Sequence, residues 1–92
     1  MSTISLDQDG ERFVMTVDGH LCELGFSLED SVVSMNHVRV PKAVGGRGLA
    51  ADLTRHALDW AREQQLTVRP VCPYVARWIE RNPAYQGLVE ND

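Results

Sequence analysis

Glycines at positions 45, 46 and 48, with Arg47 among them, place nearly bare backbone at the start of an amphipathic segment. The first N–H groups of a helix have no partner within it, and the helix dipole is positive at that end. Such a corner holds a phosphate when no side chain blocks the approach. Glycine also permits the positive φ that a loop wrapped around a ligand demands. The order β-rich half, glycine turn, helix therefore points to a phosphate-bearing cofactor. The N–H groups of Gly45, Gly46, Arg47, Gly48, Leu49 and Ala50 would form the cradle. Arg47 would add a charge able to reach a phosphate oxygen. The Gly-Lys-Ser/Thr of a nucleotide-hydrolysing loop is missing. So are the glycine spacing and downstream acid of a dinucleotide fold. With no ligand, the same stretch is a flexible turn before an ordinary helix.

Cys72 directly precedes Pro73, where a strand should hand over to a helix. The positive end of a helix favours thiolate. A thiolate could accept an acyl group and pass it on, or orient a substrate without covalent chemistry. A free cysteine also packs as a small hydrophobe. His37 could serve as a general base, because imidazole titrates near neutrality. It could equally hydrogen-bond backbone. Glu23 falls out of phase with the apolar face of its strand, as a surface residue or a carboxylate acting through water. Cys22 lies on an apolar face and reads as core. His20 and His56 have no metal-ligand spacing with the cysteines, so no zinc site is expected.

The elements that must hold these residues follow from pattern. Strands are predicted over 4–7, 12–17, 20–28 and 31–40. Phe13 and Met15 face one way and Val14 the other; Cys22, Leu24, Phe26 and Leu28 share a face. Asp18-Gly19 is a hairpin signal. Pro41 ends the fourth strand, since proline cannot donate to a ladder. A helix is predicted over 46–65, with Leu49, Leu53, Ala57, Trp60 and Ala61 as its core stripe. A fifth strand follows at 66–71, then a helix over 74–81 led by Pro73 and facing Val75, Trp78 and Ile79 inward. Asn82-Pro83 stops it. A turn or short helix over 83–88 precedes a tail at 90–92, read as frayed. Four strands, a helix, a strand and a helix make an α/β sandwich.

Ninety-two residues suit one domain, 1–92, around one core. A composition of 43% hydrophobic and 24% charged residues is that of a globular protein. The net charge of −4 comes without any basic run, which argues against nucleic acid as partner. No stretch is apolar enough to span a membrane. The N-terminus lacks a signal-peptide pattern, so a cytoplasmic location with reduced thiols is expected.

Residues 40–51, VPKAVGGRGLAA, resemble the acyl-CoA pyrophosphate loop of the GNAT superfamily of N-acetyltransferases, usually Gln/Arg-x-x-Gly-x-Gly/Ala. Gly48 and Ala50 match its last two fixed positions, whereas Gly45 stands where Gln or Arg is usual. The later Arg69-Pro70-Val71-Cys72-Pro73-Tyr74-Val75 and Asn82-Pro83-Ala84-Tyr85 resemble a small single-domain GNAT-like group with a Pro-x-Cys-Pro signature and a trailing His/Asn-Pro-x-Tyr. His37, three residues before Val40, fits that group too. The resemblance is specific from His37 to Leu88.

It implies a compact, mostly antiparallel β-β-β-β-α-β-α fold whose fourth and fifth strands splay apart, with acetyl-CoA lying in the opening. It further implies that the backbone of Val38 and Val40 pairs with the pantetheine arm as an added strand would, and that Asn82 and Tyr85 border the cofactor. Cys72 and His37 become the candidate catalytic residues. Many relatives protonate the leaving thiolate with a tyrosine on the last helix. Trp78 occupies that register here, so Tyr74, Tyr85 or water would have to substitute. The implied activity is acetyl transfer from acetyl-CoA to an amine, by direct attack first and through an acetyl-Cys72 second. Nothing obvious remains to form an acceptor pocket, which suggests a large acceptor such as a protein amine, or a partner chain completing the site. A monomer or weak homodimer is expected. The rival reading is a non-catalytic acyl-CoA-binding or protein-interaction module.

Overall fold

Phe13, Met15 and Val17 alternate with Arg12, Val14 and Thr16, so strand β2 (Arg12–Val17) buries one face and leaves the other open. The computed structural model describes residues 3–90. Asp18 and Gly19 take φ of 50° and 79°, a two-residue turn whose twist suits a hairpin. Strand β3 (His20–Glu29) returns antiparallel, with His20 opposite Val17. A second turn at Asp30 and Ser31, φ 51° and 70°, leads into β4 (Val32–Arg39). Strand β1 (Ser5–Asp7) lines the outer edge of β2.

Helix α1 (Leu49–Glu63) carries the chain back, so β5 (Thr67–Pro70) runs parallel to β4. A parallel neighbour requires a crossover of this kind. The sheet order is β1-β2-β3-β4-β5. Helix α2 (Pro73–Arg81) and a 3-10 turn (Pro83–Leu88) follow, and Val89 bridges Val68. The expected element order is observed. The tail expected at 90–92 lies outside the described residues, apart from Glu90, whose N–H donates to the Val68 carbonyl.

The first helix is shorter than its pattern suggests. Gly46 and Gly48 hold φ of 78° and 76°, which no right-handed helix contains, so helical geometry starts only at Leu49. At the other end Gln65 takes φ 59° and closes the helix. A 3-10 turn (Lys42–Val44) sits between Pro41 and the glycines, its Val44 buried in the core.

A single buried cluster unites the inner face of the sheet with both helices. Phe13, Phe26 and Trp60 meet with ring centroids 5.3 to 5.5 Å apart. Trp60 is only partly buried, whereas Leu58 and Thr54, outside the expected stripe, are fully buried. Helix α1 is covered by α2 as well as by the sheet, so its apolar stripe is wider than one contact requires. Leu28 shares its strand's apolar face as expected but is 48% exposed near the end of β3. No helix among the described residues is long and apolar enough to cross a membrane.

One irregularity positions the site. Gly25 pairs with His37 and Phe26 with Met35, so Asn36 is an extra residue in β4. Inward-facing residues before it are Val33 and Met35; after it they are Val38 and Val40. A bulge of one residue shifts the phase of a strand in this way.

Candidate functional site

The glycine turn leaves its helix end open. Gly48 is the N-cap of α1 and no side chain caps it, so the N–H groups of Leu49, Ala50 and Ala51 have no partner within the helix. Nothing lies within 4 Å of where a Cβ would sit at Gly46 or Gly48. Gly45, at φ −68°, is extended. Arg47 does not point to open solvent: its Nη1 donates to Asp18 Oδ2 at 2.7 Å, in the β2–β3 turn. Both side chains are largely exposed, so the pair is weak and exchangeable.

Strands β4 and β5 form a fork. They pair from Val32 and Thr67 as far as Met35 and Pro70. The last tie is the Cys72 N–H donating to the Met35 carbonyl at 2.9 Å. Beyond it β4 runs on to Arg39 while the chain leaves β5 for α2. Side-chain face and main-chain direction alternate together along a strand. Inward-facing Met35 aims its carbonyl at β5, so past the bulge it is Val38 and Val40 whose main-chain groups face the opening. Their side chains pack against the core at the same time. The splay expected between strands four and five is therefore present, starting at Asn36.

Cys72 sits at the apex of this fork as the N-cap of α2, 7% exposed and part of the core cluster. Cys22 is also buried and free; burial pushes its thiol up from the ordinary value. His37 is placed elsewhere. The bulge turns it onto the open face of the sheet, where its Nε2 lies 3.1 Å from Glu23 Oε2. Glu23 also accepts from Arg12 Nη1 at 2.7 Å, and Arg12 Nε donates to Asp7 at 3.2 Å. The hydrogen bond from His37, then that from Arg12, holds the Glu23 carboxyl below its ordinary range. Cys72 faces the core and His37 the open side, so the structure does not assemble them into a thiol–imidazole pair.

Tyr74, in the first turn of α2, is 40% exposed. Burial of its hydroxyl raises its pKa; Arg81 opposes this, and the nearby Asp52 carboxylate in the first turn of α1 adds to it. Tyr74 follows Cys72 by two residues, in the first turn of α2. Asn82 and Tyr85 lie at the other end. Asn82 Nδ2 donates to the Trp78 carbonyl at 2.7 Å, closing α2. Tyr85 donates its hydroxyl to Asp59 at 2.8 Å, packs edge-on against Trp78 at 5.0 Å and lies under Arg62 at 4.6 Å. The hydrogen bond to Asp59 raises the phenol's pKa. Asp59 is ten residues into α1, about 15 Å from its start at 1.5 Å per residue. The structure therefore does not bring these two residues to the glycine turn.

Sequence reasoning passed over Gly25, although a glycine inside an alternating strand signals a bulge or a close approach. It assigned no faces within the fourth strand. The parity change from Val33 to Val38 carries the bulge and was legible in principle.

A family model described as GCN5-related N-acetyl-transferase matches residues 12–88. Protein NATD1 of Gallus gallus is 37% identical over 57 residues, covering 62% of this chain and 52% of that protein. NATD1 of Homo sapiens is 37% identical over 57 residues, covering 62% of this chain and 50% of that protein. The chain thus spans about half the length of the curated relatives it matches. The NMR solution structure of a GCN5-like protein from Staphylococcus aureus superposes with a TM-score of 0.76 at 20% identity, over 98% of this chain and 89% of that one. At that identity the likeness is one of fold. With residues 12–88 inside the family pattern, the chain belongs to the GCN5-related N-acetyltransferases.

Proposed function

We propose that this chain binds acetyl-CoA and transfers its acetyl group to an amine. The observation that carries this reading is the uncapped start of α1, where Gly46 and Gly48 combine positive φ with empty space at the Cβ positions. A pyrophosphate seated there meets the free N–H groups of Leu49, Ala50 and Ala51 and the positive helix end. Arg47 exchanges Asp18 for a phosphate oxygen. The pantetheine arm runs back along β4, paired with the main chain of Val40 and Val38, and its thioester reaches the fork near Met35 and Cys72. A β4 main-chain N–H polarises the thioester carbonyl.

Direct attack is favoured over an acetyl-Cys72 intermediate, because no hydrogen bond links Cys72 to His37 among the described residues. His37 takes a proton from the ammonium acceptor. The freed amine nitrogen bonds to the carbonyl carbon, the C–S bond breaks, and the coenzyme A thiolate takes up the second amine proton. With Trp78 in the usual register and the Tyr85 hydroxyl bonded to Asp59, Tyr74 or water delivers that proton. Asn82 and Tyr85 serve the end of α2 and its packing on α1.

Calorimetric titration with acetyl-CoA, with coenzyme A and ATP as controls, tests the reading. Saturable binding of both coenzyme A forms and none of ATP supports it. Absence of binding at millimolar ligand removes it.

A further inference from the structure

The open face of the sheet carries a built seat for the His37 ring. The ring lies flat over Gly25, and a Cβ at that position would overlap its Cε1, Nε2 and Nδ1. Gly25 is outside the left-handed region, so its backbone does not require glycine; the ring does. The bulge supplies the ring. Had β4 kept its earlier register, Asn36 would oppose Gly25, and His37 would oppose Leu24 and point into the core. Glu23 supplies the anchor. Its side chain is only 14% exposed, and its two oxygens are divided between His37 and Arg12. An ionised carboxylate can only accept, so the proton of a neutral His37 resides on Nε2, and Nδ1 is left as the ring's one acceptor. Arg12 is in turn fixed by Asp7. Beside the ring, an open cavity of about 350 Å³ is lined by Gly10, Glu11, Phe26 and the seat itself.

We propose that Glu23 and Gly25 are positioning residues that hold His37 as a general base with Nδ1 presented to an acceptor amine entering from the open face of the sheet. This rests on the acetyl-transfer reading. Gly25 provides the floor, Glu23 fixes the tautomer and the ring's rotation, and Arg12 keeps Glu23 ionised and aimed. None of the three needs to touch the cofactor.

Two readouts separate the seat from the function. Long-range 1H–15N spectra of the imidazoles in the native protein are expected to show His37 with a hydrogen-bonded Nε2 proton and a bare Nδ1. That proton signal should disappear in Glu23→Ala and in Gly25→Ala. A His37 without it in the native protein overturns the seat. In turnover assays with acetyl-CoA and a panel of primary amines, E23A and G25A should each lower kcat at least tenfold with the KM for acetyl-CoA unchanged. E23Q, which keeps an accepting oxygen, should recover part of the loss. G25A made in an H37A background should cost nothing further, because both act through one ring. Native kcat in E23A and G25A, or an undiminished G25A effect without His37, overturns the positioning role. Acetyl-CoA binding with no turnover of any amine by the native protein overturns the base role, while the imidazole spectra still decide the seat. E23A carries the test if G25A does not fold.

Discussion

Arg47 in the glycine turn donates to Asp18 in the β2–β3 turn at 2.7 Å, joining two turns that lie 29 residues apart in the chain. The contact links the β2–β3 hairpin to the mouth of α1. It also occupies the one guanidinium in the turn and sets a carboxylate beside the proposed pyrophosphate seat.

Asp18→Asn should therefore strengthen coenzyme A binding. The turn tolerates the change, because Asn accepts the positive φ of 50° found at this position. Loss of an exposed ion pair is worth ~0.2–1 kcal/mol, so affinity should rise by up to about five-fold at low salt and by less as salt is added. Calorimetry across a salt series measures it. Unchanged or weaker binding would show that Arg47 does not reach the phosphates.

Gly48→Leu tests the cradle itself. A side chain at φ 76° is strained, at a cost of roughly 1–2 kcal/mol. It would also fill the space left for the ligand, which is open in all directions within 4 Å of the Cβ position. Denaturation should reveal the modest loss of stability, with the fold retained by circular dichroism. Coenzyme A binding should fall below detection. A folded variant with native affinity would sink the loop assignment.

Cys72→Ala asks whether the thiol at the fork does chemistry. The side chain is buried in the core cluster, so truncation should cost about 1 kcal/mol of stability, as for other small core deletions. The hydrogen bond from its main-chain N–H to Met35 is preserved. Transfer should slow with little change in acetyl-CoA affinity, and no acetyl adduct should be trapped on the native protein by mass spectrometry. Full activity in the variant would confine Cys72 to packing.

Tyr85→Phe separates the two ends of α1. It deletes the hydrogen bond to Asp59 and should lower stability by about 1 kcal/mol. Acetyl-CoA affinity should stay within error of native. A marked loss of affinity would return Tyr85 to the border of the cofactor.

Most of the architecture was legible in local signals along the chain. Alternation in β2 and β3, the Asp18-Gly19 turn, the helical spacing of Leu49, Leu53, Ala57 and Ala61, and the Pro73 start of α2 are local signals, and the elements formed where they predict. Gly46 and Gly48 marked the turn for the same reason, since positive φ is written into a residue type; Gly45 is extended, and its N–H donates to the Lys42 carbonyl. The rest depends on how the folded chain settles around those signals. Helix α1 lost its first residues because Gly46 and Gly48 adopt positive φ. Leu58 and Thr54 are buried because α1 packs against α2, β5 and the 3-10 turn as well as β2, β3 and β4. Tyr85 bonds Asp59, 26 residues away in the chain. The bulge at Asn36 arises where β4 must pair with β3 along its whole length but with β5 only as far as Met35. That one extra residue moved His37 from the core to the open face, onto Gly25 and Glu23, partners that pairing between strands brings together and spacing along the chain does not reveal.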